Sequence, residues 1–571
     1  MTNQEIAKTF WRLADLMEIK GDNPFKINSF RKAARVLENI TEDIESICQE
    51  GRLQRVPGIG KGIAERISQL VNTGQCQDYE ELKKTIPSGL LEVLSIPEVG
   101  PKTVQLVWKK LNITTLNQLE EAVKKHKLRD LFRMGEKTEK NILRGIEFLS
   151  RRKGRLLLGD AYPLAEQVVN ALKGHPQVQK ISPAGSLRRY KETIGDIDIL
   201  VTSSHPQEVM DTFVALPQVK EVLARGPTKS SVLTNLNIQM DLRVVEKESF
   251  GAALQYFTGS KEHNIKLREM ARGKGLKISE YGVFKGEKKK VAGEEEEEVY
   301  AALNLPWIPP ELRENLGEVE AAKGGRLPQL VELSELKGDL HIHSNFSDGA
   351  CSLLELVEKA KKKGYQYIAV TDHSQSLKIA SGLSEERLLK QIEEIKKINK
   401  RLSNFKILSG AEVDIKADGS LDYPDEVLRR LDLVAAAVHL GFKQTKEAMT
   451  ERIIKAMRNE NVDVIAHPTG RLINQRDEYK LDIERLLEVA KETKTALEIN
   501  AYPERLDLRD IHCKRAKEYG VKLTISTDAH QESQLDFIKY GVATARRGWL
   551  EKEDILNTKD VEELLRWLKG R

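Results

Sequence analysis

From residue 338 onward the chain repeats one pattern: a short apolar run, a histidine or carboxylate near its end, then a long charged stretch of helical periodicity. The runs are DLHIHS, YIAVTDHS, KILSGAEVDI, LDLVAAAVHL, VDVIAHPTG, TALEINA and KLTISTDAH. Apolar runs of this length alternating with amphipathic helices predict parallel strands buried on both faces, with the helices packed outside. Closed into a barrel, such a succession gathers the carboxyl ends of its strands in one mouth. Six of the eleven histidines fall there, His341, His343, His373, His439, His467 and His530, together with Asp348, Glu412 and Asp528. A lone strand-end histidine is more often a satisfied polar residue than a ligand. Nine ligand-type side chains brought to one mouth point instead to a metal centre. Mixed imidazole and carboxylate donors suit manganese, zinc or iron better than magnesium alone. Their number suggests two or three ions with room for a bridging hydroxide. His512, on a predicted helix, reads as structural.

The middle third carries a second constellation. In AGSLRRYKETIGDIDILV (184–201), Asp196 and Asp198 are one residue apart on a predicted strand, so both carboxylates leave the same face. Such a pair repels itself unless a divalent cation lies between its members. Asp241, in QMDLRVV, can complete a hard-oxygen site suited to magnesium or manganese. Ahead of the pair, Gly185 and Ser186 supply a tight turn, a hydroxyl and N–H groups, and Arg188 and Arg189 supply guanidinium groups for a triphosphate. The alternative is an exposed strand with surface aspartates; the preceding Gly-Ser and the third aspartate weigh against it.

Residues 1 to about 150 read as short helices punctuated by glycine. VPGIGKGIAERI (56–67) and IPEVGPKTVQLV (96–107) share a plan of apolar residue, proline, turn, glycine and amphipathic helix, and a looser copy starts at Leu131. Such glycines (Gly58 and Gly60, then Gly100) can present backbone N–H groups to a phosphate oxygen, with Lys61 and Lys102 close behind to neutralise charge. One copy alone fits an ordinary helix–turn–helix corner equally well; repetition favours helix-hairpin-helix binding of DNA without base specificity. The net charge of +5 is too small to decide the question. The glutamate run Glu294 to Glu298 reads as a solvated helix start, and EVEAAKGGRLPQLVE (318–332) as a linker. With no apolar run near the roughly 20 residues that span a bilayer and four scattered cysteines, a reducing cytoplasm is expected.

Taken in order, the motifs before residue 317 resemble the family X DNA polymerases, a branch of the nucleotidyltransferases. The Gly-Ser…Arg-Arg element, GDIDIL and MDLR are similar to that family's palm, and YFTGSKEHNIKLR (256–268) with GLKISEYGVF (275–284) to its thumb. The segments from 336 to 571 resemble the PHP (polymerase and histidinol phosphatase) superfamily, with all nine ligand positions occupied. The resemblance implies a multidomain chain of α+β and α/β parts. It would comprise a helical, lyase-like helix-hairpin-helix domain over 1–80, fingers with a second hairpin over 81–150, a palm over 151–250, a thumb over 251–317, a linker over 318–335, and a distorted β/α barrel over 336–571.

By the same resemblance Asp196, Asp198 and Asp241 would be catalytic metal ligands. Ser186 and Arg189, with Gly185, would meet the triphosphate; Tyr256, Phe257 and Gly259 would line the sugar. Asn264 and Arg268 would reach the minor-groove edge of the new pair, and Arg243 would contact DNA. Lys26, in FKINSFRKAARV, matches the family's 5′-phosphate contact. Two departures stand out: Lys261 replaces an acidic residue of the animal repair enzymes, and Arg66 occupies the position of their Schiff-base lysine. A protonated guanidinium is no such nucleophile. The implied activity is gap-filling DNA synthesis in base excision repair. A 3′–5′ exonuclease with abasic-site or 3′-end processing would accompany it, with lyase activity weak or absent. Gapped or primer–template DNA bearing a 5′-phosphate and dNTPs would be the partners of a monomeric, cytoplasmic, nucleoid-associated prokaryotic enzyme with no membrane contact. Arg471 and Lys443 would bind substrate phosphate or serve a plain surface role. A nuclease with an inactive palm, a DNA-binding structural protein and a non-polymerase nucleotidyltransferase are the other readings; the complete aspartate triad and the YFTGS segment disfavour them.

Overall fold

The computed structural model describes residues 3–39, 44–56, 58–96, 99–129, most of 131–146, 155–286 and 289–570. They form two compact units, Met1–Lys153 and Gly154–Arg571. Among the described residues no helix is long and apolar enough to cross a membrane.

The regular elements described in the first unit are all helices. Helices Asn3–Lys20 and Pro24–Asn39 pack around an edge-to-face contact of Phe10 and Phe30. The glycine plan is built the same way each time. Gly60 opens helix Lys61–Thr73 at φ −83°, ψ 170°, and Gly100 opens Pro101–Leu111 at φ −88°, ψ 169°. Each glycine carbonyl accepts two first-turn N–H groups, Ile63 and Ala64 at the first, Thr103 and Val104 at the second. The described residues of the third copy repeat this, with Thr138 and Glu139 donating to Gly135. Gly58 has φ +97°, and a Cβ there would lie 3.0 Å from Val36 Cγ2, so both conformation and space call for glycine.

The second unit begins with helix Leu158–Lys173 packed on a five-stranded sheet. In spatial order its strands are Lys180–Pro183, Asp196–Thr202, Gln239–Val245, Lys229–Thr234 and Val219–Arg225. The second and third run parallel and the other neighbours antiparallel. Helices Phe250–Thr258 and Lys261–Gly273 follow, then a small antiparallel sheet of Leu276–Ser279, Gly282–Lys285 and Lys289–Ala292. Here two expectations need correction. The glutamate run does start helix Glu296–Ala301, with a capping box from Glu295 and Glu298, but Glu296 is buried rather than solvated. Arg188, Arg313 and the Trp307 indole N–H converge on its carboxylate, which is what makes a buried charge tolerable. The segment 318–335 is not a free tether either: helix Glu318–Lys323 buries Val319 and Ala322 in the core beside Leu267 and Tyr300, and Glu318 accepts a hydrogen bond from His263.

Residues 338–570 form a seven-stranded, all-parallel sheet in chain order: Gly338–Ile342, Tyr367–Val370, Lys406–Asp414, Leu433–Ala437, Val464–Ile465, Ala496–Asn500 and Leu523–Ser526. The last strand returns to the first: His343 N–H donates to Ala529 O and Asp528 N–H to His341 O, both at 2.9 Å, closing a distorted barrel. Its narrow interior mixes small residues, Ala369, Ala435, Ala437, Ala466 and Ala496, with larger ones, Leu340, Tyr367, Leu408, Leu433 and Val464. Helix Val561–Lys569 covers the amino ends of the strands with Leu564, and the Tyr367 hydroxyl donates to Lys559 O.

Candidate active sites

The first site follows from register. Strand Asp196–Thr202 pairs in parallel with Gln239–Val245 so that Asp198 stands opposite Asp241. Level neighbours in a parallel pair point to one face, which brings Asp196, Asp198 and Asp241 together. Asp241 is buried, Asp198 half-buried and Asp196 exposed, so the cluster opens to solvent at one end. Burial pushes the Asp198 carboxyl up to about 6, with repulsion from Asp196 and Asp241 adding to it. Burial acts on Asp241 as well, but hydrogen bonds from Lys229 and Gln239 outweigh it and hold the carboxyl low. Lys229 Nζ lies 2.7 Å from Asp241 Oδ2 and Arg243 Nη2 3.8 Å from it. Three carboxylates in mutual repulsion, with all-oxygen donors, fit a hard divalent cation. Lys229 escaped the sequence reading; it stands opposite Arg243 on the next strand, and only that pairing reveals it.

Gly185, at φ +63°, lies against this cluster: a Cβ there would sit 2.9 Å from Asp198 Oδ2. The two arginines that follow have separate duties. Arg188 forks onto Glu296 at 2.7 and 2.9 Å and donates to Thr258 Oγ1, so it belongs to the scaffold. Arg189 Nε donates to Glu314 Oε1 at 3.0 Å and its Nη1 to the Thr258 carbonyl. Gly259, at φ +72°, leaves room for that guanidinium, since a Cβ would lie 3.1 Å from Arg189 Nη1. Tyr256 and Phe257 meet edge to face, and the Arg243 guanidinium lies 4.5 Å above the Phe257 ring. Asn264 is tied to Gln255 and to the Tyr256 carbonyl. Ser186 and Arg268 are half-buried and Lys261 is exposed.

The second site occupies the barrel mouth. All nine sequence-derived candidates are there, each within 3.9 Å of another. Glu412 is the hub: His373 Nδ1 lies 2.7 Å from it, His467 Nε2 2.8 Å, His439 Nε2 3.2 Å and His341 Nε2 3.5 Å. Three subsets have geometry for an ion: His343, Asp348, His373 and His530; His341, His343 and Asp528; His373, Glu412 and His439. Their overlap suits bridging. His341 Nε2, His343 Nδ1 and Glu412 Oε2 are buried with no hydrogen-bond partner, a costly state that coordination relieves. Burial, with His530 and His373 alongside, pushes the His343 imidazole down to about 3, so it presents a neutral lone pair. Asp528 and His467 hold backbone φ of +54° and +29°, strain of the kind that gathers at ligand sites.

Two carboxylates that the sequence reading missed hold these candidate ligands in place. Glu498 accepts from His341 Nδ1 at 2.7 Å and from the His467 backbone N–H at 2.7 Å; Asp414 accepts from His439 Nδ1 at 2.6 Å. Glu498 sits in mid-strand in TALEINA, the one barrel strand that contributed no candidate, where a lone glutamate gives no periodic signal. Replacing Glu498 by glutamine should lower metal affinity at the barrel mouth by about 10- to 100-fold. Metal titration of the purified variant reads this directly, and wild-type affinity would refute the role. Arg471, expected at substrate or at the surface, is instead buried: it pairs with Glu192 Oε2 at 2.9 Å and donates to the carbonyls of Arg505 and Leu506. The cation beside the ligands is Arg505, whose Nε lies 3.6 Å from Asp528 Oδ2. Lys443 is exposed, and His512 pairs with Glu478 on helix Asp510–Tyr519.

In the first unit, Lys26, Lys32, Arg55, Lys61 and Arg66 surround an open pocket of about 660 Å³ that also reaches Gly58 and Gly60. Arg66 is fixed there by Asp78 and by the Gly62 carbonyl. Lys102 is exposed beside Gly100.

An aspartate triad on a mixed sheet and a histidine-rich barrel mouth thus give the chain two separate side-chain clusters of the composition that suits divalent metals and phosphoryl chemistry. Family models match four stretches of it. Residues 1–76 match a helix-hairpin-helix domain, 90–147 a SAM-like helix-hairpin-helix tandem, 253–314 the DNA polymerase beta thumb and 339–502 the PHP domain. The DNA polymerase/3′-5′ exonuclease PolX of Bacillus subtilis (strain 168) is 42% identical over 572 residues, covering all of both chains. A "Probable phosphatase" of Thermoanaerobacter sp. (strain X514) is 32% identical over 244 residues, 41% of this chain and 94% of that protein. Another from Acetivibrio thermocellus is 33% identical over 202 residues, 34% of this chain and 78% of that one. The chain belongs to the family X DNA polymerases that carry a C-terminal PHP domain.

Proposed function

We propose that this enzyme fills short gaps in DNA during base excision repair and processes 3′ ends with its own barrel nuclease. The observation that carries the first half is the level pairing of Asp198 with Asp241 beside Gly185. Asp196, Asp198 and Asp241 would hold magnesium or manganese, which would acidify a primer 3′-hydroxyl and neutralise a triphosphate. The 3′-oxygen of the primer then displaces pyrophosphate in line from a dNTP. Gly185, Ser186 and Arg189 grip the phosphates. Tyr256, Phe257 and Gly259 bound the sugar, Asn264 and Arg268 face the new base pair, and Arg243 stands toward the DNA.

The nine barrel residues would hold two or three manganese or zinc ions, which would supply a hydroxide for phosphodiester hydrolysis. Arg505 faces the substrate phosphate there. The same centre serves 3′–5′ exonuclease action and cleavage at abasic sites. Gly58, Gly60, Lys61, Gly100 and Lys102 carry the DNA backbone without reading bases. With Arg66 tied to Asp78, no Schiff-base lyase step starts from that position. The enzyme acts as a monomer.

The test is a labelled primer on a one-nucleotide gap with a downstream 5′-phosphate. Supplied with dNTPs and manganese or magnesium, the enzyme should add a nucleotide; without dNTPs it should shorten the primer. Failure of either reaction removes the corresponding half of the proposal. Lys26→Ala should weaken binding to the 5′-phosphorylated gap by about 3- to 10-fold and reduce the salt dependence of affinity by about one counterion. The same gap lacking the phosphate should bind both proteins equally, and an equal loss on both DNAs would refute the assignment of Lys26.

A further inference from the structure

The segment Arg189–Glu192, which follows the turn at Gly185, is held from the barrel. Arg547, the last residue of helix Ile538–Arg547, is buried and donates from Nη1 to the Arg189 carbonyl at 2.7 Å and to Glu314 Oε1 at 3.0 Å. Its other face is anchored within the barrel by Asp510, at 2.9 and 2.6 Å. Glu314 in turn receives Arg189 Nε, so one barrel guanidinium fixes both the backbone of Arg189 and the carboxylate that aims its side chain. Three residues on, Glu192 pairs with the barrel's Arg471. Between them Tyr190, at φ +51°, stacks on Tyr162, which meets Tyr540 of the same barrel helix edge to face.

We propose that Arg547 is a positioning residue for nucleotide binding at the polymerase site, so that the nuclease barrel forms a structural wall of the triphosphate pocket. This rests on the reading that Arg189 contacts the triphosphate. The physical argument is one of preorganisation. A long arginine side chain has many rotamers, and a charge grips a phosphate well only when its orientation is fixed beforehand. Arg189 starts a left-handed turn at Tyr190, and within it the Arg189 carbonyl takes its fixed charged donor from another part of the fold. Without Arg547, Glu314 loses one of its two guanidinium partners and draws more strongly on Arg189, turning it from a phosphate.

The test uses the full chain and four proteins: wild type, Arg547→Ala, Arg547→Lys and Arg189→Ala. Michaelis constants for a dNTP on a gapped DNA, 3′-end shortening of a single strand, thermal midpoints and amide exchange over residues 188–193 are measured on each. Arg547→Ala should raise the dNTP KM by about tenfold, with kcat changed much less, and speed exchange in 188–193. Its 3′-end shortening should stay within about twofold of wild type, because Arg547 touches none of the nine barrel ligands. Arg547→Lys, which keeps the charge but loses the fork, should fall between. A wild-type KM in Arg547→Ala while Arg189→Ala raises it would overturn the inference and leave the reading of Arg189 standing. A wild-type KM in Arg189→Ala would overturn that reading and the inference with it. Equal losses of synthesis and shortening, accompanied by a fallen thermal midpoint, would make Arg547 a general stability residue and likewise overturn the proposal.

Discussion

Asp241→Ala should lower single-nucleotide incorporation by about 10³-fold or more while 3′-end shortening by the same protein continues at the wild-type rate. Asp241 is the buried member of the triad and the one already paired with positive charge, through Lys229 at 2.7 Å and Arg243 at 3.8 Å. Removing its carboxylate does two things. It takes one of three anionic donors from a divalent cation, and it leaves an ammonium and a guanidinium facing Asp198 with no buried counter-charge of their own. Both effects repel the cation the reaction requires. Asp241→Asn is the companion variant: it keeps shape and the hydrogen bond from Gln239, so a loss there reports on charge rather than packing. Incorporation on a one-nucleotide gap is measured beside shortening of a single strand. Incorporation within tenfold of wild type in both variants would remove Asp241 from the catalytic set.

The reverse dissociation is expected at Glu412. Glu412→Gln should strip the barrel mouth of most of its metal and reduce 3′-end shortening by about 10²- to 10³-fold, with incorporation unchanged. Four imidazoles lie within 3.5 Å of this carboxylate: His341, His373, His439 and His467. It is fully buried, which alone would raise its pKa, yet the imidazoles beside it, His439 foremost, hold it well below the usual carboxylate range. A neutral amide of the same shape keeps the packing and loses the one charge that several subsites share. Metal content after gel filtration, measured with both activities, decides the matter. Retained metal and retained shortening would show that Glu412 merely neutralises histidines.

The outcome at the two centres shows which parts of a site a linear sequence exposes. The gathering of the nine candidate side chains at the barrel mouth was legible because strand, loop and helix repeat with a fixed polarity, so a histidine or carboxylate toward the end of an apolar run has one place to go. The aspartate triad was legible for a related reason: Asp196 and Asp198 share a face by the two-residue period of a strand. Glu498 was missed although it lies on the same barrel, because a single glutamate in an apolar run carries no pattern, and its partner His341 is 157 residues away. Lys229 was missed because its pairing with Asp241 depends on which strand lies next to which. The glutamate run misled for the opposite reason: composition suggested solvation, and only Arg188, Arg313 and Trp307 arriving from elsewhere made a buried Glu296 stable.

By itself, then, the sequence determined the order of helical hairpins, mixed sheet and parallel barrel, together with the residue types at each mouth. Those properties follow from local periodicity and from the chain's fixed direction. The tertiary structure alone decided which charges meet. Arg471, readable as a phosphate ligand, turned inward to Glu192, and Arg547, unremarked in its helix, reached Arg189 across 358 residues. Burying a guanidinium requires partners on every side, and no period in a sequence records where those partners will be once the chain has closed on itself.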